Sequence, residues 1–252
     1  LRLLRFDGLT GVAGDIFVGA LLDLGVSWKA VSTAVYALGV ESVKVRAEKV
    51  VRRGVSATKF HVLDRQSGRP VEEVRATRLN GPLELIEIIE DAPLAGAVKT
   101  HAREIITRLA DAEAKVHAVP FEQVHFHEVG ALDTLVDAVA AAAAWCELRV
   151  DIKYCSSSTV RVGSGEVATE HGTLPVPAPA TVELLRGVPI VAGELEFELT
   201  TPTGAAILTH FCRDFGPCRP LKVTAVGYGA GSRELKVPNV FRAILGESFE
   251  GA

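Results

Sequence analysis

Residues 1–8 read Leu-Arg-Leu-Leu-Arg-Phe-Asp-Gly, residues 9–15 continue Leu-Thr-Gly-Val-Ala-Gly-Asp, and an apolar run follows to Leu24 before Gly25. The first six residues have the make-up of a short buried strand. Glycine then stands at every third place, Gly8, Gly11 and Gly14, and Asp15 opens an apolar helix to about Leu24 that Gly25 closes. The order strand, glycine loop, helix predicts a chain that mixes α and β. Ser27 is placed to cap a second helix through Leu38, stopped by Gly39. Val43 and Val45 alternate with Lys44 and Arg46, and Phe60 and Val62 with Lys59 and His61, which predicts a hairpin of 42–50 with 55–64 around Arg52-Arg53-Gly54.

The polar stretch from Asp64 to Pro82 reads as a linker leading into helices at about 83–91 and 94–116. In the second, Leu94, Val98, Ala102, Ile105, Leu109, Ala112 and Val116 recur at spacings of three and four and define one buried face, with His101 beside it. Beyond the alanine-rich stretch Ala138 to Cys146, read as a buried helix, strands are expected at 151–161, 195–200, 221–227 and 237–245. Helices are expected at 177–186 and 203–212, and a glycine-bearing loop at 163–172. The fold class is therefore α+β, with sheet strands, packed helices and glycine-rich loops at strand ends. A division into an N-terminal part, 1–64, and a helical plus α/β part, 65–252, is expected, with one continuous domain as the alternative.

Composition bounds the function. The 252 residues are 48% hydrophobic and 23% charged, with 27 Lys and Arg against 31 Asp and Glu, a net charge of −4. That suits a folded core and argues against a nucleic acid or a membrane surface as the main partner. No targeting segment is read at the start, and no stretch reaches the roughly 20 strongly apolar residues that span a bilayer. Cys146, Cys155, Cys212 and Cys218 form no C-x-x-C pair and suit free thiols in a cytoplasmic protein. Methionine is absent, and the sequence gives no reason for it.

The densest chemistry lies at His125-Phe126-His127-Glu128-Val129-Gly130, followed by Asp133 and Asp137. In an extended segment His125 and His127 project to one side, and Asp133 and Asp137 share a helix face at i, i+4. Imidazole and carboxylate without thiolate suit a divalent first-row metal such as nickel, manganese, iron or zinc rather than a structural zinc site. The same carboxylates would also serve simply as helix N-terminal anions. In the first glycine loop, Gly11 and Gly14 allow close backbone approach to a phosphate, while Asp7 and Asp15 would repel one unless a metal lay between them. His171 with Gly172, Thr201 and Thr203 around Pro202, and Arg233 at the end of Gly227-Tyr228-Gly229-Ala230-Gly231-Ser232-Arg233 are further candidates for a phosphate or nucleotide. Thr201 before Pro202 also reads as an ordinary cap.

Taken together, residues 6–15, 124–133, 171–181 and 198–206 resemble the signature blocks of the LarC-type nickel-insertion proteins, and the likeness continues in order through Gly227–Gly231 to Pro238-Asn239-Val240. The resemblance implies insertion of nickel into pyridinium-3,5-bisthiocarboxylic acid mononucleotide, making the nickel-pincer cofactor of lactate racemase in a lyase-class reaction that uses CTP with manganese or magnesium. It implies apo-lactate racemase as recipient, a C-terminal domain absent from this chain that carries the CTP, and in some members a separately encoded C-terminal component. A homo-oligomer is left open. On this reading His125, His127 and Asp133 hold a metal, Asp137 supports them, Glu128 is the base, and Asp7 and Asp15 form a second metal position. The chain departs from the family at Arg75-Ala76-Thr77-Arg78, where histidines are usual. Two other functions fit the same residues: a metal-dependent phosphoesterase or nucleotide hydrolase, and a nickel-holding or cofactor-holding scaffold that acts with a partner domain.

Overall fold

Leu4 and Phe6 alternate with Arg5 and Asp7 along β1 (Arg2–Gly8), and a computed structural model of the chain shows what each side meets. It describes residues 1–73, 79, 81–126, 130–169, 172–193 and 195–248. After β1 come α1 (Gly14–Leu24), α2 (Trp28–Tyr36), β2 (Val43–Arg52), β3 (Val55–Asp64), α3 (Pro82–Asp91), α4 (Gly96–His117) and α5 (Ala131–Leu148). The second half contains β4 (Cys155–Ser157), β5 (Val160–Arg161), β6 (Glu166–Thr169), β7 (Gly172–Pro175), α6 (Pro179–Leu184), β8 (Ile190–Val191), α7 (Pro202–Phe211), β9 (Asp214–Phe215), β10 (Lys222–Ala230) and β11 (Val240–Glu247).

Seven strands form a mixed sheet in the order β2-β3-β10-β11-β1-β4-β9, and two two-stranded ribbons pair β5 with β8 and β6 with β7. The α+β class expected from the sequence is the one observed. β1 runs antiparallel to β11 and parallel to β4, with Phe6 opposite Ala243 and Asp7 opposite Arg242. Because side chains alternate across a strand, Phe6 faces the helices while Asp7 and Arg242 face the other way. On the helix side the Phe6 ring packs tilted against Phe17 of α1 at 4.8 Å and stacks with Phe241 at 5.3 Å, ring centre to ring centre. One buried core runs from Leu4 to Leu245.

Helix α1 lies directly on the sheet, against β3, β10 and β11. Two glycines of β10 make this possible: a Cβ on Gly227 would strike the backbone of Ala20 and Leu24, and one on Gly229 the backbone of Ile16 and Ala20. These glycines were expected in a ligand loop; they belong to a strand, where the missing side chains admit a helix. Asp23 of α1 ties the same contact. It accepts hydrogen bonds from Thr58 Oγ1 at 2.6 Å, from the Tyr228 amide at 2.9 Å and from Lys49 Nζ. Burial by itself would raise its pKa, yet these donors hold the carboxyl below the usual value.

The other helices pack outward from α5, which meets α1, α2, α4 and α7. Ala138 and Ala140–Ala144 are buried, and side chains this small let several helices close on one axis. Local signals explain most helix ends. Ser27 caps α2 by accepting from the Ala30 amide, and Gly25 closes α1 with φ of 116°. Arg53 and Gly54, with φ of 46° and 84°, turn the β2–β3 hairpin. Helix α2 ends at Tyr36, two residues before the expected Leu38, because Leu38 already turns back to the carbonyl of Val35.

Two expected strands differ. Residues 151–161 divide into β4, which joins the large sheet, and β5, which pairs with β8. The stretch 195–200 forms no strand. Glu198 makes only an isolated bridge to Gly163, and the Leu199 backbone is held instead against Gly11, where a Cβ would collide with it. The expected loop at 163–172 contains β6 and leads into β7.

His101 of α4 and His210 of α7 share a hydrogen bond of 2.9 Å between Nδ1 and Nε2, beside the stacked rings of Phe211 and Trp145. Burial depresses His210 to about 3, and neighbouring His101, Arg108 and Arg213 act in the same direction. Glu104 lies 3.6 Å from Nδ1, beyond hydrogen-bond range.

Two measurements follow from this packing. Gly229→Ala places a methyl group against the Ile16 backbone and is expected to lower stability by about 2–3 kcal/mol in urea unfolding. An unfolded histidine binds its proton near pH 6.5, whereas folded His210 does so only near 3. The stability carried by the neutral ring is therefore complete above pH 6.5 and is lost as pH falls toward 3, by up to about 1.4 kcal/mol per pH unit. NMR should show the His210 ring still neutral at pH 5.

Candidate functional site

The loop before α1 is clamped by α5 and α7. A Cβ on Gly14 would collide with the Asp137 carboxylate of α5, and one on Gly204 of α7 with the backbone of Val12 and Ala13. Hydrogen bonds fix the same approach. The Thr201 amide donates to the Val12 carbonyl at 3.1 Å, the Val12 amide to Thr200 Oγ1 at 3.3 Å, and Thr200 Oγ1 to the Arg161 carbonyl at 2.6 Å. The hydroxyls of Thr134 in α5 and Thr203 in α7 lie 3.1 Å apart. Three helix N-termini are thereby brought to one place.

They open on a cavity of about 660 Å³. Gly14 and Asp15 of α1 line it, as do Gly130, Asp133 and Asp137 at the start of α5, and Thr201, Pro202 and Thr203 at the start of α7. From the other side come Lys59 of β3, Glu166 of β6, Phe197 and Glu198, and the turn Gly231-Ser232-Arg233 after β10. The α1 and α5 caps, Ala13 and Gly130, supply no side-chain hydrogen bond, whereas Thr201 accepts from the Gly204 amide at 3.1 Å. Each N-terminus carries about half a positive charge, which favours anions.

Five carboxylates, Asp15, Asp133, Asp137, Glu166 and Glu198, line the cavity among the described residues, against the two full cations Lys59 and Arg233. A divalent cation would reduce that surplus. Lys59 is only 5% exposed and bridges the walls, pairing with Asp15 and donating to Ser232 Oγ at 2.7 Å. Arg233 lies over the Phe197 ring at 5.3 Å, so its planar group is held at the rim. Among the described residues no three His, Cys, Asp or Glu side chains already stand together as a metal seat.

The fold thus gathers Gly14, Asp15, Asp133, Asp137, Thr201, Thr203 and Arg233, which the sequence suggested in four separate segments. It does not bring Asp7 to them. Asp7 lines a second cavity on the opposite side of the sheet and pairs with Arg5 at 3.0 Å and Arg242 at 2.7 Å. Gly11, with φ of 78°, serves the approach of Leu199 rather than the cavity wall. His125 is exposed between buried Val124 and Phe126, in the expected alternation, and does not line the cavity. His127, Glu128, His171 and the segment 75–78 lie outside the described residues.

Lys59, Glu166 and Glu198 were missed by the sequence reading. Lys59 sits in an alternating hairpin whose polar members ordinarily face water, and nothing local marks it as buried.

A mixed sheet thus supports three converged helix starts around a carboxylate-rich cavity, a concave place lined by converging polar groups of the kind that takes small ligands. The chain belongs to the nickel insertion protein family, whose model matches residues 4–251. It is 43% identical over 251 residues to the pyridinium-3,5-bisthiocarboxylic acid mononucleotide nickel insertion protein of Geobacillus kaustophilus, covering 98% of this chain and 60% of that one. The protein of the same name from Desulfitobacterium hafniense is 42% identical over 249 residues, covering 98% and 59%. The chain therefore spans about 60% of the length of these curated relatives. No solved structure matches it. Among the described residues no helix is long and apolar enough to cross a membrane.

Lys59→Met is expected to destabilise the fold by about 3 kcal/mol, because it leaves the Asp15 carboxylate without its buried cation. Combining it with Asp15→Asn should recover part of the loss in a double-mutant cycle of urea unfolding.

Proposed function

We propose that the cavity is where nickel meets pyridinium-3,5-bisthiocarboxylic acid mononucleotide, and that this chain carries the insertion site. The observation that carries the reading is the meeting of surplus carboxylates with three helix N-termini in one cavity of a nickel insertion family member. The mononucleotide phosphate is a natural ligand for the helix starts and the planar donors of Arg233, with Lys59 behind them. Carboxylates hold Ni(II) through hard oxygen donors, so the ion remains exchangeable toward the softer sulfurs of the substrate.

Asp133 and Asp137 hold the incoming nickel, Asp15 joins them from α1, and His125 and His127 deliver the ion. Forming a carbon–nickel bond releases a ring proton, and Glu128 accepts it. The oxygen donors of the cavity also suit manganese or magnesium, which would neutralise phosphate charge there. The family resemblance supports the remainder of the reading. The reaction consumes CTP through the portion of the longer relatives that lies outside the match, belongs to the lyase class, runs in the cytoplasm and serves apo-lactate racemase. Because the relatives are longer, the scaffold reading, in which this chain binds but turns over only with that portion added, is kept within the proposal.

Calorimetric titration with nickel chloride and, separately, with the mononucleotide tests it. Asp133→Asn with Asp137→Asn should weaken nickel binding at least tenfold while the circular dichroism of the folded protein is kept and its melting temperature falls, and Arg233→Ala should weaken the mononucleotide by a similar factor, about 1–2 kcal/mol. Unaltered binding of both ligands by both variants would sink the assignment, as would release of phosphate from simple phosphoesters without nickel insertion.

A further inference from the structure

Cys155 and Cys212 come from distant parts of the chain and meet in the core. Cys155 opens β4, Cys212 caps the C-terminal end of α7, each is 1% exposed, and their Sγ atoms lie 3.1 Å apart. A disulfide needs about 2.05 Å, so roughly 1 Å of approach separates two free thiols from a bond. The other two cysteines have no such neighbour: Cys146 is half-buried and Cys218 is exposed.

We propose that Cys155 and Cys212 form a reversible disulfide with hydrogen peroxide as oxidant, and that this bond locks one wall of the cavity. The two residues are 57 apart in sequence. The loop they would close contains Glu166, Glu198, Thr201 and Thr203, four residues of that wall. A bond at its base would restrain the segment from β5 to α7 without touching the α1 and α5 walls. This inference stands on the thiol geometry and is independent of which ligand the cavity takes.

The chemistry balances. One thiolate attacks a peroxide oxygen and expels hydroxide, giving a sulfenic acid. The second sulfur then displaces hydroxide from the first, and the two thiol protons leave with the hydroxides as two molecules of water. Burial raises the Cys155 thiol well above its ordinary pKa, the Cys212 contact acts the same way, and only Arg5 opposes them, so thiolate is scarce and the reaction is slow. Access for a small neutral oxidant comes at the sheet edge, where β4 has three residues and β9 only two, a place where local opening is easiest.

Purified protein treated with hydrogen peroxide, alkylated under denaturing conditions and digested without reductant provides the test. The expected product is a Cys155–Cys212 linked peptide about 2 Da lighter than its two reduced parts, removed by dithiothreitol. The melting temperature should rise by about 5 °C and return on reduction. Cys218→Ser should retain both effects, and Cys212→Ala should lose both. Recovery of Cys155 and Cys212 as thiols, or as separate sulfinic acids, after Cys218 is fully oxidised would overturn the proposal, and peptide mapping of the unsubstituted protein decides this even where a cysteine variant fails to fold. A linked peptide with an unchanged melting temperature would overturn the lock.

Discussion

Everything about the cavity depends on backbone coming very close to backbone at Gly14 and Gly204. A side chain at either position would push the α1 loop away from α5 or α7, and the three helix starts would no longer share one space. Such convergence has an electrostatic cost, since three positive helix ends face one another in a partly closed volume. Asp15 and Asp133 offset that cost from within the first turns of α1 and α5, and Asp137 from the next turn of α5. These acidic side chains thus belong to the stability of the fold as much as to any ligand they bind. Asp137 shows this most directly, because it is 2% exposed and its carboxylate rests on the first residue of α1.

The same logic separates the two faces of the sheet. On the helix side the aromatic contacts of Phe6, Phe17 and Phe241 leave no room for charge. On the other side buried Arg5 is satisfied by Asp7, by the carbonyl of Ser157 at 3.0 Å and by that of Gly216 at 2.7 Å. Asp7 is therefore the anion between two guanidinium groups, and a metal would have to displace both. Its neighbour in the sequence motif, Asp15, lies across the sheet in a different environment, with one cation and a helix start beside it.

Local chemistry made much of the fold legible. Ser27 and Gly25 marked helix ends, alternation marked the hairpin, and the threes and fours from Leu94 to Val116 marked the buried face of α4 at Val98, Ala102, Ile105, Leu109 and Ala112, although Val116, expected on that face, is exposed. Long-range contacts were what the sequence concealed. Gly227 and Gly229 have the look of a phosphate loop because flexibility and close approach call for the same residue, and only the position of α1 distinguishes the two uses. Leu195 to Thr200 has strand composition but pairs with the chain after β5 only in the isolated bridge of Glu198 to Gly163 and forms no strand. Four of the site segments were visible separately; that they meet, and that Lys59 joins them from the hairpin, follows from the order of strands in the sheet, which no local pattern encodes.

The order of that sheet also decides which strands stand at its two edges. One edge is β2, where Lys44, Arg46 and Lys49 are exposed, and the other is the two-residue β9. An approaching strand would find charged side chains at the first edge, with Arg46 and Lys49 paired to Glu48 and Asp23, and too little backbone to pair with at the second, which disfavours edge-to-edge stacking.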